Sequence, residues 1–249
     1  MTWRCGSDIV CSVAHEMRSL RRFGVELETS RCFRASRLER KTVYGAKRDG
    51  SIDGLEFVSP ILQGDAGLRA TRGFCTRARH ARFAVDASCG MHIHLDVSDN
   101  DQLQRRHIAA AYAVTQDLWS SLVDCRRLHN SYCRPLTWNY QDMSECRHFT
   151  DFCADASRYH WFNVAAADKF GTFEIRNHEG TLDGVRVCNW IKAHARFFDA
   201  VVDMKFHDIK ARFTGTRAQV WRAVTDTWSD PALRRYWRKV KLQHACTTI

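Results

Sequence analysis

Four short segments of this chain alternate apolar residues with acids and imidazoles, and no other feature restricts its fold as strongly. Residues two apart in a β-strand share a face and lie roughly 6.5–7 Å apart along it. VELE therefore sets Val25 and Leu27, with Phe23 before them, against Glu26 and Glu28. LEFV sets Leu55 and Phe57 against Glu56, and MHIHLD sets Met91, Ile93 and Leu95 against His92, His94 and Asp96. TFEIR sets Phe173 and Ile175 against Glu174 and Arg176. A merely solvated sheet face mixes Thr, Ser, Lys and Gln, whereas these four repeat a Glu/His bias without a lysine. Paired in one sheet, they would bring Glu26, Glu28, Glu56 and Glu174 together. Carboxylates a few ångströms apart cannot all ionise cheaply unless a cation neutralises them. Hard oxygen donors favour magnesium, and an imidazole in the set admits manganese.

Elsewhere the period changes. Ser98 or Asp99 is placed to cap a helix running to about Val123, with Ile108, Ala111, Thr115 and Leu118 or Trp119 as its inner stripe. Val185, Cys188, Ile191, Ala195, Phe198 and Val202 step by three and four, the mark of a second long amphipathic helix. Residues 64–82 read as loop then helix, 125–156 as loop with short helices, and 218–228 and 231–242 as closing helices. Residues 52–58 and 172–176 read as strands, while 31–48 are basic and irregular. Single strands alternating with turns and helices predict an α+β protein whose antiparallel sheet is covered on one side. Residues 1–22 carry no assignment, 23–210 form the body, and 211–249 add terminal helices to it.

Composition narrows the class. With 45% apolar and 27% charged side chains, the chain can build a core and is too apolar for a disordered segment. It has no run of ~20 apolar residues to span a membrane. Asp8, His15, Glu16 and Arg18 break what a secretory leader would keep apolar, so a cytoplasmic protein is expected. Eleven cysteines, an odd number with no CxxC pair, read as reduced core thiols. The net charge of +10 favours anionic ligands without choosing among nucleotides, acidic metabolites and nucleic acid.

Taken in order, FGVELE, DGSIDGLEFVSPIL, CGMHIHLD, RYHWFN and GTFEIRNHEGTLDG resemble the amidoligase family over Phe23 to Val202. That family groups with the glutamine synthetase and glutamate–cysteine ligase-like carboxylate–amine ligases. The resemblance implies a curved antiparallel sheet backed by helices, like a glutamine synthetase catalytic domain, with ATP and two or three divalent ions (Mg2+ or Mn2+) on its concave side. It implies Glu26, Glu28, Glu56, His92 and Glu174 as metal ligands, and His94 as the imidazole nearer the nucleotide phosphates. Arg176 would face the transferring phosphoryl group, Arg158 and Asn163 would contact phosphate or substrate, and Lys169 would be a further nucleotide contact. The implied reaction moves the γ-phosphoryl of ATP onto a carboxylate; an amine then displaces phosphate from the acyl phosphate, leaving an amide or isopeptide bond. Small-molecule or peptide acids and amines would be the substrates, and self-association would suit the superfamily.

The residue types agree with that chemistry, because phosphoryl transfer needs charge neutralisation and in-line positioning above all. No GxxxxGK[ST] loop is present, so ATP would be held by metals and arginines. Two other readings stand beside it. His92-x-His94-x-Asp96 has the spacing of a zinc hydrolase motif, although Val97 follows where that motif has a second histidine. Arg31, Arg34, Arg37 and Arg40, with a basic closing helix of Arg234, Arg235, Arg238, Lys239 and Lys241, fit a nucleic-acid-binding protein or a plain solvated face. Cys89, close before His92, reads as a buried thiol rather than a nucleophile. Trp221, Trp228 and Trp237 are expected in the core.

Overall fold

The computed structural model describes residues 20–30, 43–48, 50 and 52–245. Six strands form one open, wholly antiparallel sheet in the order β2-β3-β1-β4-β6-β5. They are β1 (Phe23–Thr29), β2 (Gly45–Lys47), β3 (Leu55–Val58), β4 (Gly90–Asp96), β5 (Phe162–Asn163) and β6 (Thr172–Glu179). The four alternating segments are its four inner strands. β3 is shorter than its sequence suggests and β6 longer. The two short edge strands have too few residues to show a period, and β2 lies within the stretch read as irregular. Arg31, Arg34, Arg37, Arg40 and residues 1–19 lie outside the described residues.

Nine helices of the described chain follow in order: α1 (Gly64–His80), α2 (Gln102–Ser120), α3 (Tyr140–Glu145), α4 (Phe149–Asp155), α5 (Ala166–Phe170), α6 (Gly184–Val201), α7 (Phe206–Phe213), α8 (Arg217–Thr225) and α9 (Pro231–Ala245). A 3-10 turn spans Cys125–His129. The apolar sheet face, with Val25, Leu27, Phe57, Ile93, Leu95, Phe173 and Ile175, is buried in one core with Phe74 of α1, Ile108 and Tyr112 of α2, and Ile191 and Phe198 of α6. Each such side chain contributes roughly 1.5–3 kcal/mol when taken out of water. Stacked and edge-on rings tie the layers: Tyr112 lies 4.2 Å from Phe162, which lies 5.1 Å from Phe173.

Helix ends differ from expectation by a few residues. Asp101, rather than Ser98 or Asp99, caps α2, in a capping box with Gln104. Asp183 caps α6, leaving Val185 in the first turn at 46% exposure although Cys188, Ile191, Ala195 and Phe198 are buried as expected. The closing helices are anchored by indoles: Trp228 Nε1 donates to Ala193 O (3.0 Å) and Trp237 Nε1 to Asn189 O (3.3 Å). Trp221 is partly buried, beneath Lys241 Nζ at 4.5 Å. No helix among the described residues is long and apolar enough to cross a membrane.

One irregularity decides where a histidine goes. Met91 pairs with His178 and Ile93 with Ile175, so His92 faces Arg176 and Asn177 together. A bulge of this kind inverts the alternation beyond it. Strict alternation from Glu174 and Arg176 would carry His178 onto the acidic face. The extra residue turns it instead toward the helices, where its ring lies 4.9 Å from Trp190 and its Nε2 accepts from Arg186 Nε (3.1 Å). Burial pushes His178 down to about 4. It pushes His194, whose ring is 4.0 Å from Trp119, down to about 3.

Below its ordinary pKa near ~6.5 an exposed histidine takes a proton that these two refuse, so the unfolded chain binds more protons as pH falls. Their contribution to stability is full above that value and is lost as pH drops toward 4 and then 3. Melting followed by circular dichroism should show Tm falling continuously from pH 7 to pH 4, and His194→Leu should flatten part of that slope.

Candidate active site

The sheet register assembles the charged face. Glu26 lies opposite His92, Glu28 opposite Glu56, and Glu174 between His94 and Asn163. His92 Nδ1 is 3.1 Å from Glu26 Oε2 and 3.5 Å from Glu174 Oε1. His94 Nε2 is 3.6 Å from Glu26 and 3.8 Å from Glu174, while its Nδ1 meets Thr172 Oγ1 at 3.0 Å. Two sets of potential ligand atoms each fall within 4.8 Å of one another: Glu26, Glu56 and His92, and Glu26, His94 and Glu174. Glu26 belongs to both. Glu28 belongs to neither; it accepts from Gly90 N (2.5 Å) and keeps its other oxygen 3.7 Å from His92 Nε2.

These groups line a cleft of about 610 Å³. Tyr132, Arg158 and Tyr159 form part of its wall, and Lys47, Lys169 and Phe170 another part. Arg158 Nη2 donates to Tyr159 OH (2.8 Å), and its guanidinium lies over the Tyr159 ring. Lys169 Nζ lies 5.0 Å from the Phe170 ring centre. A second, more apolar groove of about 410 Å³ shares Glu26, His94 and Phe170 with the cleft and continues past Val58, Pro60 and Ile61.

The acids do not share their burden evenly. Burial works against ionising Glu26, but hydrogen bonds from His92, His94 and Glu56 outweigh it and hold its carboxyl far below the usual range. Glu56 takes the opposite course: burial, then the Glu26 charge beside it, pushes it up to about 8. Lys47 Nζ, 2.9 Å from Glu56 Oε2, offsets this only in part. Burial also opposes charge on Glu174, which Arg176, His92 and His94 nonetheless keep ionised. Arg176 pairs with Glu174 Oε1, and Asn163 Nδ2 donates to Glu174 Oε2 (2.7 Å).

Behind the face stands Arg127, on the 3-10 turn. Its Nη2 lies 3.3 Å from His92 Nε2 and donates to Arg176 O (3.3 Å). His92 thus has the Arg127 guanidinium behind Nε2 and the Glu26 carboxylate before Nδ1. Gly90 makes the room, for a Cβ at that position would stand 2.2 Å from Arg127 Nη2. Three cleft atoms remain buried without a hydrogen bond: Glu56 Oε2, Asn163 Oδ1 and Arg176 Nε. Two acceptors and one donor at the cleft thus lack an aligned hydrogen bond, and Lys47 Nζ is the charge closest to Glu56 Oε2.

Residues 35–198 match the family model described as "Putative amidoligase enzyme". The chain belongs to the amidoligase family. Membership marks it as an enzyme of ligase type. A solved structure described as a "novel glutamine synthase homolog" aligns with 92% of this chain and 67% of its own, at 12% identity and a TM-score of 0.41, an overlap too loose to bear on function. No curated protein matches the sequence. The matched span carries Glu56, His92, His94, Arg158, Asn163, Lys169, Glu174 and Arg176, and β1 with Glu26 and Glu28 lies just before it.

All ten residues named from the amidoligase sequence motifs thus line one cleft, with Arg158 and Lys169 exposed at its mouth. Asp96 does not join the donor sets; its carboxylate is taken by Arg22 Nε (2.6 Å) and by Ser98, which leaves the zinc-hydrolase spacing without its third ligand. Cys89 is buried, and burial pushes its thiol up, away from nucleophilic use. Lys47, Arg127 and Tyr132 were not foreseen, because they come from stretches without a period. Gly90→Ala should displace the Arg127 guanidinium and cost about 1–3 kcal/mol in urea unfolding. In an Arg127→Met background the same substitution should cost clearly less.

Proposed function

We propose that this amidoligase is an ATP-dependent carboxylate–amine ligase working through an acyl phosphate. The observation that supports it most is the pair of donor sets sharing Glu26 at the floor of a cleft whose mouth is basic. The acceptors Glu56 Oε2 and Asn163 Oδ1, neither with an aligned hydrogen bond, fit a divalent cation better than they fit a neutral ligand. Glu26, Glu56 and His92 would hold one ion, and Glu26, His94 and Glu174 a second. Magnesium or manganese there would neutralise phosphate charge and act as a Lewis acid.

The chain's own groups do the rest. Arg176, pinned by Glu174, keeps its Nε for the oxygens of the transferring phosphoryl group, where negative charge grows in the transition state. Asn163 fixes the Glu174 carboxylate from the far strand. Thr172 orients His94, the imidazole beside the apolar groove; that groove suits a flat nucleotide base, with the phosphates directed back over the acids. Arg158 at the mouth suits the carboxylate substrate. Small-molecule or peptide acids and amines both fit the width of the cleft.

Glu26→Gln and Glu174→Gln should abolish amine-dependent ADP release while leaving the circular dichroism melt near that of the wild type. Arg176→Ala should lower kcat by about 10²–10³ with a smaller effect on KM for ATP. Unchanged turnover in all three variants would remove the charged face from the reaction.

A further inference from the structure

The acid cluster is met by His92 and His94 in the middle of the sheet, by Arg176, and by Lys47. The first three are fixed. Both imidazoles sit on β4 between two strands, and Arg176 is locked to Glu174. Lys47 is different. It sits on the three-residue strand β2, which among the described residues pairs only with β3, and its side chain is 55% exposed. Its flexible stem nevertheless brings the ammonium 2.9 Å from Glu56 Oε2 and 4.0 Å from Glu26 Oε1.

Those are the two carboxylates that join His92 in one donor set. The approach to Glu56 is close enough for an ion pair, yet Oε2 has no properly aligned hydrogen bond. The ammonium is thus a charge set beside both carboxylates. We propose that Lys47 is a stand-in cation for the Glu26–Glu56–His92 position and is displaced toward the cleft mouth when a divalent ion enters. The inference rests on the metal reading above.

The physical case is one of mutual exclusion. An ammonium and a divalent ion cannot both sit against the same two oxygens, since they repel each other in a partly desolvated cleft. A buried acid pair with no cation at all would be costly, so a tethered charge keeps the face assembled in the ion's absence. Only a side chain has to swing, and a lysine stem swings without breaking any strand pairing. The tether has a consequence: it must weaken ion binding by whatever the Lys47 contact contributes.

The test uses the full chain at pH 8 without nucleotide. Acetylation of Lys47 by an N-hydroxysuccinimide ester is followed by peptide mass spectrometry with and without saturating Mn2+, beside calorimetric titration of the same ion. Lys47 should be labelled several-fold faster with Mn2+, while the exposed Lys239 is unchanged. Lys47→Met should bind Mn2+ about two- to tenfold more tightly than wild type, and Lys47→Arg should stay near wild type. If calorimetry shows uptake but labelling and the Lys47→Met affinity both stay at wild-type values, the displacement is wrong and the metal reading survives. If the wild type takes up no ion, both fall.

Discussion

Like charge packed on one half-buried sheet face is the constraint around which this molecule is organised. Glu26, Glu28, Glu56 and Glu174 have little access to water, and at such separations four bare carboxylates would repel strongly. Each is answered differently. Glu174 receives Arg176 and Asn163, Glu28 receives a backbone N–H, and Glu26 receives two imidazoles. Glu56 is left with an offset ammonium and a carboxyl pushed up to about 8. The cluster is thus unequal by construction: two imidazoles favour the charged form of Glu26, while burial and the Glu26 charge disfavour that of Glu56.

That inequality needs exact register, and the other face of the same strands supplies it. A one-residue slip of β1 would turn Val25 and Leu27 into the cleft and bury Glu26 and Glu28 against the helices. The apolar face packed beneath α1, α2 and α6 therefore fixes the chemistry as firmly as any contact in the cleft. The bulge opposite His92 completes the arrangement. It keeps Arg176 with the acids and sends His178 to the helices, so the face carries two imidazoles where simple alternation would give three.

The sequence made the inner strands readable because period two is strong when one face is apolar and the other charged. Long helices were readable for the same reason at period 3.6, with α2 and α6 displaced only at their caps. What escaped reading lacks a period. β2 and β5 are three and two residues long, and α7 falls where no stripe was evident. Lys47 and Arg127 reach the site through tertiary placement: one hangs from an edge strand, and the other enters over a glycine from a 3-10 turn. Which acids share a cation was equally hidden, since Glu28 alternates with Glu26 in β1 yet spends its carboxylate on Gly90 N. Alternation assigns a side chain to a face; it does not say what meets it there.

The distribution of charge across the cleft also bears on what could bind. Its floor is acidic and its mouth carries Arg158 and Lys169, while the whole chain is positive by ten charges. A free anion drawn by the long-range field would meet carboxylates at the bottom, so the floor favours a cation and the mouth an anion. A complex of the two suits both zones at once: its metal end satisfies the acids and its anionic end the arginines. On the proposed reading, the ligand for which this face is built is therefore a metal–phosphate unit, with Arg176 standing where the two zones meet.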